Sequence, residues 1–528
     1  MAEESTQPLE QQAHHDGSVT ARTRLTPVSE VKRGSIIVPP TTVVPVIFVP
    51  GIMGSNLRDA KTKESVWNTN STVSILLQWI FRSASTRQSK LAPKNAEVDT
   101  TGKWYGKSAT VHDEKDGEAR GQGTTSRAFY GDFVRWLDDH LNGNDKATAQ
   151  GVPSPWNAMV NKGIDAWNPE KMPQALTQEN ADFAWDNFFC PVHVQGYNWL
   201  QSNGESGKDL AKVIKDVIAQ WNGKPDGKDG AVFKCEKVIL VSHSMGGLVT
   251  RAAVHPDFGA AADLVLGIVH GEQPANGAAA AYHHCRSGYG GVSGWVLGRN
   301  AAQVTAVFAN SPGAMELLPN QQYPAKWLKA RVGSNPAAVL ELPETDPYVE
   351  IYLQKNPWWR LIDPSLIDPS KKLHQPWVAY YKQVNIVAQF HRSLATTYHP
   401  QTYAHYGADT KKYPAWGDLV WHSETGVGVD QSELLLAKPA EGSNPVSVLA
   451  GQTLRFSIVD PQEVGYPQPG DGTVPACSGE APNVQGGGSV KQSFRLTGFE
   501  HQGAYDNDAV QQSTLYAIGM LLQQAHEL

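Results

Sequence analysis

One serine lies in a motif that could make it a nucleophile. In residues 238–249, an apolar run leads into Ser244, with small residues two positions before and two after it, and a second apolar run follows. A strand, a tight turn and a helix in that order are typical of a nucleophile elbow, which holds the serine hydroxyl at the end of a strand. Ser242 replaces the usual glycine, and its small side chain makes that departure tolerable. We predict Ser244 as the nucleophile; the alternative, an accidental serine-rich turn, does not explain the flanking elements.

A serine hydroxyl also needs a base that accepts its proton and an acid that orients the base. The acid and the base are expected to follow the serine in that order, and Asp471 and His501 do so. Asp471 is flanked by glycines and follows a strand predicted at 454–458, and His501 precedes the final apolar helix pattern. We therefore predict Asp471 as the acid and His501 as the base.

Each of these two assignments has an alternative. Asp471 could be a turn residue that accepts hydrogen bonds from its own backbone, and His501 could be an ordinary surface histidine. If Asp471 is not the acid, Asp460 and Glu500 are the remaining candidates.

The oxyanion of an acyl-transfer intermediate requires preorganised N–H donors. The backbone N–H of Met245, directly after the nucleophile, is one predicted donor. The second is expected in the loop after the first predicted strand, where Gly51 and Gly54 let the backbone turn inward. We predict the N–H of Ile52 as that donor.

The elements that must position these residues follow an alternating pattern. Buried parallel strands are predicted at 43–49, 237–241 and 264–269, because each is a short apolar run rich in β-branched residues. Apolar residues at helical spacing predict helices over 210–221 and 515–522. The predicted fold class is α/β, specifically an α/β-hydrolase fold with a mostly parallel central sheet, helices on both faces and a large inserted cap.

The sequence pattern also predicts a division of the chain into segments. We expect a flexible N-terminal arm at 1–40, the first part of the hydrolase core at 41–277, a cap at 278–450 and the C-terminal part of the core at 451–528. The cap assignment depends on an irregular pattern rich in Pro and Trp. Within it, the aromatic segments 357–362 and 377–381 could pack inside the cap, line an acyl pocket or contact a bilayer.

Composition restricts the classes of function. The chain has 528 residues and a formal net charge of −7, and this deficit of cations argues against nucleic acid as a partner. The polar N-terminus lacks the apolar run of a cleavable signal, and no stretch reaches the length of a spanning helix. We therefore expect a soluble chain made in the cytoplasm. The four cysteines lack metal-ligand spacing and are expected to be small buried apolar residues: Cys190, Cys235, Cys285 and Cys477.

Two further segments suggest other activities. Residues 101–108 resemble a phosphate-binding loop, but a threonine replaces the first glycine and the glycines are one residue too close. Residues 71–82 form an apolar run that leads into Arg82, Arg87 and Lys90, as in an interfacial helix. Packing in the core or the cap is the more common role of such a run.

The ordered motifs resemble a known family of lipid enzymes. Residues 45–57, 196–199, 242–247 and 470–475 are similar to motifs of the lecithin:cholesterol acyltransferase and lysosomal phospholipase family. That resemblance implies ester chemistry on lipids through an acyl-enzyme, with the roles on the residues predicted above. The family often has Asp-Trp-Arg where this chain has Asn198-Trp199-Leu200, so substrate preference does not transfer. The signal-free N-terminus and residues 270–277 also resemble bacterial type VI secretion lipase effectors.

These observations predict a serine-dependent lipase or phospholipase that hydrolyses acyl esters of membrane lipids without an organic cofactor or a metal; calcium dependence is left open. A soluble carboxylesterase, an acyltransferase using the same residues and a non-enzymatic binding scaffold are the alternatives. As a secreted antibacterial effector, it would act in the periplasm of a target cell. Its expected partners are phospholipid, a membrane surface, an immunity protein and a component of the secretion apparatus.

Overall fold

The computed structural model describes residues 40–68, 82–142, 163–172, 174–222, 233–290, 298–439 and 451–525. Short pieces outside these ranges are also described: 6–8, 11–13, 19–21, 33–35, 79, 160 and 446–449. Among the described residues, no helix combines the length and the apolar character needed to cross a membrane.

A six-stranded parallel sheet forms the centre of the fold. Its strands, in chain order, are β1 (Val46–Val49), β2 (Val192–Val194), β3 (Val238–His243), β4 (Val265–Gly271), β5 (Thr402–Gly407) and β6 (Val490–Leu496). Their spatial order is β2-β1-β3-β4-β5-β6, and every neighbouring pair is parallel. Parallel strands end at one edge of a sheet, so the loops after β3, β4, β5 and β6 can meet there.

Helices cover both faces of this sheet, because alternate strand residues point to opposite sides. They are α1 (Arg127–Asn142), α2 (Asn203–Trp221), α3 (Gly246–Val254), α4 (Pro376–Leu394) and α5 (Asp508–Leu522). Val46 and Phe48 join a core cluster with α1 and α5, whereas Ile47 and Val49 join another with α2 and α3. The sheet is therefore buried on both faces, which confirms the predicted fold class.

The predicted elements of the core occur close to their expected positions. The strand predicted at 43–49 is interrupted before Val46, and a short strand, Thr42–Val43, pairs instead with Phe188–Phe189. Pro45 has no N–H to donate to a ladder, which explains the interruption. The predicted helices over 210–221 and 515–522 form the C-terminal parts of α2 and α5.

A second hydrophobic core lies within residues 279–456 and includes Trp327, Trp358 and Trp421. A four-stranded sheet contributes to it, in the order Leu340–Leu342, Leu328–Val332, Leu419–Ser423 and Ser457–Ile458. A three-stranded sheet combines Lys438–Pro439, Val446–Leu449 and Gln452–Arg455.

These sheets correct the predicted boundaries of the cap. β5 lies within 278–450 but belongs to the central sheet, so that segment is not a simple insertion. Conversely, residues 452–458, assigned from the sequence to the hydrolase core, pair with strands of the second core. The sequence pattern missed this exchange because a short apolar strand looks the same in either sheet.

The remaining elements are short. A three-stranded sheet combines Ser65–Trp67, Leu57–Asp59 and Ala96–Val98. The described residues also contain the α-helices Ala84–Lys90, Glu114–Ala119, Gln178–Asn187, Ala279–Ser287, Ala301–Phe308, Pro312–Met315, Gln431–Leu436, Ala476–Gly479 and Ala481–Gln485. In the predicted arm, Thr6–Pro8 pairs with Arg33–Ser35, and Gln11–Ala13 pairs with Val19–Ala21. The rest of 1–40 lies outside the described residues, apart from Pro40.

The interfacial helix predicted at 71–82 also falls largely outside the described residues. Of its flanking cations, Arg87 is buried and donates to the carbonyl oxygen of Trp79 at 2.9 Å. Arg87 therefore cannot contact lipid headgroups as the sequence suggested. In the phosphate-loop-like segment, the next helix begins only at Glu114, so no helix N-terminus follows the motif.

Candidate active site

Ser244 occupies a strained turn between β3 and α3. Its φ is +54°, a left-handed conformation that non-glycine residues rarely adopt. Its N–H donates to the carbonyl oxygen of Gly271 at the end of β4, at 2.8 Å. A Cβ on Gly246 would lie 2.5 Å from the carbonyl oxygens of Val49 and Pro50, which explains the glycine two residues after the serine. The turn has the shape of a nucleophile elbow.

The structure brings the three predicted triad residues together. His501 Nε2 lies 2.8 Å from Ser244 Oγ, and His501 Nδ1 lies 2.7 Å from Asp471 Oδ2. The backbone N–H of His501 also donates to the backbone carbonyl oxygen of Asp471 at 2.8 Å. Because the ionised carboxylate can only accept, the proton lies on Nδ1, and Nε2 is free to accept the serine proton. This arrangement can carry out nucleophilic catalysis with a general base.

Asp471 reaches the site from a different strand than the sequence indicated. The central-sheet strand before it is β5, and backbone hydrogen bonds between Asp409 and Gly470 return the chain to the end of that strand. The strand predicted at 454–458 belongs to the second core instead. The alternative acids Asp460 and Glu500 have exposed side chains, and among the described residues neither hydrogen-bonds to the His501 ring.

The surroundings of His501 favour its charged form. Burial lowers the pKa of this imidazole, but the charge and hydrogen bond of Asp471 oppose burial, and the pKa is raised above its usual value. The Asp471 carboxylate is itself fixed, because Oδ1 accepts from the N–H groups of Thr473 and Val474 at 3.0 and 2.7 Å. An imidazolium formed when His501 accepts a proton is therefore stabilised in place.

The predicted oxyanion donors flank the nucleophile. Among the described residues, the N–H groups of Ile52 and Met245 have no protein acceptor, so both are available to an oxyanion. A Cβ on Gly51 would lie 3.0 Å from the Cβ of Ser244, so the glycine lets this loop approach the serine. Met53 has a φ of +64°, and its carbonyl oxygen accepts from Trp67 Nε1 at 2.8 Å.

A chain of hydrogen bonds that the sequence analysis missed links this loop to the base. The Gly51 N–H donates to the Tyr130 hydroxyl at 3.1 Å, and that hydroxyl donates to His243 Nδ1 at 2.9 Å. His243 Nε2–H in turn donates to the carbonyl oxygen of His501 at 2.9 Å. Burial holds the pKa of His243 well below its usual range, so this histidine is a neutral link. In the sequence, the only sign of this role was the position of His243 between Ser242 and Ser244.

Ser242, the residue that replaces the usual glycine, is buried, and its hydroxyl lies 3.1 Å from His270 Nδ1. The nucleophile is also covered, with Ser244 only 4% exposed. Ile52 packs against the core cluster that β1 forms with α2 and α3, and it also packs against the second core. The proposed oxyanion loop therefore lies where the two cores meet.

No protein-family model and no curated protein matches the chain. A chain in the crystal structure of the Tle4-Tli4 complex matches with a TM-score of 0.77 and 32% sequence identity, over 91% of this chain and 99% of that chain. The predicted resemblance to type VI lipase effectors is thus confirmed, whereas the resemblance to the lecithin:cholesterol acyltransferase family stays a prediction. This chain belongs to the Tle4 family of type VI lipase effectors.

Proposed function

We propose that this chain is a serine phospholipase that hydrolyses acyl esters of membrane lipids through an acyl-enzyme. The main support is the set of hydrogen bonds joining Ser244, His501 and Asp471 at 2.8 and 2.7 Å. As Ser244 Oγ attacks the ester carbonyl carbon, its proton passes to His501 Nε2, and the carbonyl oxygen becomes an oxyanion facing the N–H groups of Ile52 and Met245.

The tetrahedral intermediate then collapses. The bond between the carbonyl carbon and the alcohol oxygen breaks, and His501 gives its proton to the departing lysolipid oxygen. Water next attacks the acyl-serine, with His501 accepting its proton, and the second intermediate releases a fatty acid and the Ser244 hydroxyl. Every catalytic group in this scheme is a side chain or a backbone N–H of the chain, and we propose that the reaction needs no organic cofactor.

We further propose that the enzyme is delivered by a type VI secretion apparatus into a target periplasm. A phospholipase active at its producer's own membrane would be self-damaging, so the producer needs restraint. The solved relative forms a complex with Tli4. We propose a corresponding immunity protein for this chain, one that blocks access to Ser244.

Delivery can be tested by expressing the chain in a bacterial host with and without an added periplasmic signal. We expect loss of viability only with the signal, because the proposed action requires access to the membrane from the periplasm. The matched control is the Ser244→Ala variant in each compartment, which should be harmless at equal protein levels. Harmless expression of the unaltered chain in both compartments would contradict the proposed toxin role.

The second core carries the surface through which we expect lipid to approach the covered Ser244. Of the aromatic residues that the sequence singled out there, Trp358, Trp359 and Tyr380 are buried, so packing accounts for them. On α4, however, Val378 and Tyr381 are 42% and 48% exposed. The helix contains Lys and Arg but no Asp or Glu. Such a face suits contact with an anionic bilayer.

We therefore expect turnover of phospholipid in vesicles to exceed turnover of the same lipid class as monomers by at least about tenfold. The double substitution Val378→Ser and Tyr381→Ser should lower only vesicle turnover, by about tenfold, through the loss of ~1–2 kcal/mol of apolar contact. Val484→Ser, which alters another exposed apolar residue, is the matched control. Equal turnover of monomeric and aggregated lipid would count against this mode of access.

A further inference from the structure

A second relay of carboxylate, imidazole and hydroxyl lies buried beside the first. Glu272 Oε1 is 2.9 Å from His405 Nδ1, and His405 Nε2 is 3.0 Å from Thr514 Oγ1. The side chains of Glu272 and His405 are 0% and 1% exposed, and Thr514 is completely buried. Substrate cannot reach this hydroxyl, so the relay is not a second active site.

The position of Glu272 ties it to the first relay. Gly271, the residue before it, supplies the carbonyl oxygen that fixes the Ser244 N–H. Glu272 has a φ of +47°, and its own N–H donates to the carbonyl oxygen of His405 at 3.0 Å. The backbone of Glu272 is thus held in an unfavourable conformation. Its carboxylate directly follows β4, the strand that supports the elbow.

Glu272 carries an oxygen that the fold leaves unused. Among the described residues, its Oε2 has no hydrogen-bond partner, although the residue is completely buried. The titratable groups around this carboxylate are His405 on β5, Tyr130 on α1, Tyr505 before α5, and His501. Burial and the Glu272 charge both raise the pKa of Tyr130, to about 12, so this phenol stays neutral.

The groups that act on His501 itself come from four places in the fold. Asp471 contacts its Nδ1, Glu272 and Glu500 act on it through their charges, and the neutral His243 at the end of β3 donates to its backbone carbonyl oxygen. Asp471 and Glu272 are buried, whereas Glu500 is exposed and screened by water. Of the two carboxylates that act on His501 without touching it, Glu272 is therefore the less screened.

We propose that Glu272 is a positioning residue of the reaction, a second buried acid whose negative charge stabilises the imidazolium of His501. The inference depends on the proposed function, in which His501 becomes charged at each acyl-transfer step. It requires the Thr514 hydroxyl to donate to His405 Nε2, which leaves His405 neutral, with Nδ1–H donating to an ionised Glu272. The Thr514 hydroxyl is also within hydrogen-bond distance of the carbonyl oxygen of Val510, at 2.8 Å. If it donated only to that oxygen, His405 and Glu272 together would hold an extra proton and carry no net charge.

The test is the pH dependence of kcat/KM for a soluble p-nitrophenyl ester with Glu272→Gln. A carboxylate near an imidazolium raises its pKa, and His501 must be neutral to accept the serine proton. Removing the charge should therefore move the acidic limb of the profile to lower pH, by about 0.5–1 unit. The plateau kcat should fall by about 3- to 10-fold, because the same stabilisation is lost when the imidazolium forms.

Thr514→Val is the matched control, because it removes the hydroxyl of the relay but offers His405 Nε2 no acceptor for a proton, so His405 stays neutral and Glu272 keeps its charge. We expect it to lower the unfolding temperature by a few degrees without moving the acidic limb. Should Glu272→Gln not accumulate as folded protein, the double variant Glu272→Gln and His405→Gln provides two amides that can pair, and it carries the same expectation.

An unmoved limb in a folded Glu272→Gln variant, or equal shifts in that variant and in Thr514→Val, would overturn the proposal in favour of a purely structural relay. Either result leaves the proposed function intact as long as the unaltered chain cleaves the ester and Ser244→Ala does not. Loss of that difference would instead contradict the proposed function itself.

Discussion

Replacing Ser244 by alanine is expected to lower the rate of ester hydrolysis by on the order of 10⁴-fold or more, equivalent to about 5 kcal/mol of transition-state stabilisation. The hydroxyl is the only group that the substitution removes, and alanine retains the Cβ that lies beside Gly51. The fold should persist, because the elbow is held by backbone contacts, including the hydrogen bond from the Ser244 N–H to Gly271. Initial rates on phospholipid vesicles and the temperature of unfolding measure the two effects separately.

Ser242→Ala is the matched control for that substitution. It removes a buried hydroxyl two residues away whose neighbour is His270 rather than His501. We expect its activity to stay within about tenfold of the unaltered chain, because it costs one buried hydrogen bond and no catalytic group. A folded Ser244→Ala variant with nearly full activity would contradict the assignment of the nucleophile.

The second large effect concerns the base and the acid as a unit. His501→Ala should lose activity to nearly the same extent as Ser244→Ala, and the double variant should be scarcely worse than either, because each loss disables the same proton transfer. Asp471→Asn should also lose on the order of 10⁴-fold, since the amide favours the wrong tautomer of His501. Rate measurements on the single and double variants give the coupling directly.

The alternative acids supply the control for this unit. Asp460→Asn and Glu500→Gln alter exposed carboxylates that make no hydrogen bond to the His501 ring among the described residues. Both variants should keep most of the activity. Multiplicative losses in the variant lacking Ser244 and His501 would show instead that the histidine acts outside a shared relay.

Local sequence patterns predicted the elbow because its requirements are local. The strand, the strained serine and the glycine at 246 must occupy neighbouring positions, and a Cβ at 246 would clash with backbone oxygens. The order of Asp471 and His501 along the chain then narrowed the remaining candidates. Nothing in the sequence gave their distance in space.

The strand before Asp471 could not be predicted in the same way. β5 and the acid are separated by strands of the second core, and the pairing of Asp409 with Gly470 returns the chain to the central sheet. The links through Tyr130, His243 and His405 escaped prediction for a related reason. Their partners lie 113, 258 and 109 residues away in hydrogen bonds that tertiary folding creates.

Ser244 is the residue that we expect to become acylated, and a fluorophosphonate probe can identify that residue. The probe phosphorus reacts with an activated serine oxygen and releases fluoride, and mass spectrometry of the digested chain locates the adduct. We expect one stoichiometric adduct, on the peptide containing Ser244, and none in the Ser244→Ala variant. An adduct on another residue, or lipid hydrolysis that continues without any adduct at saturating probe, would contradict this expectation.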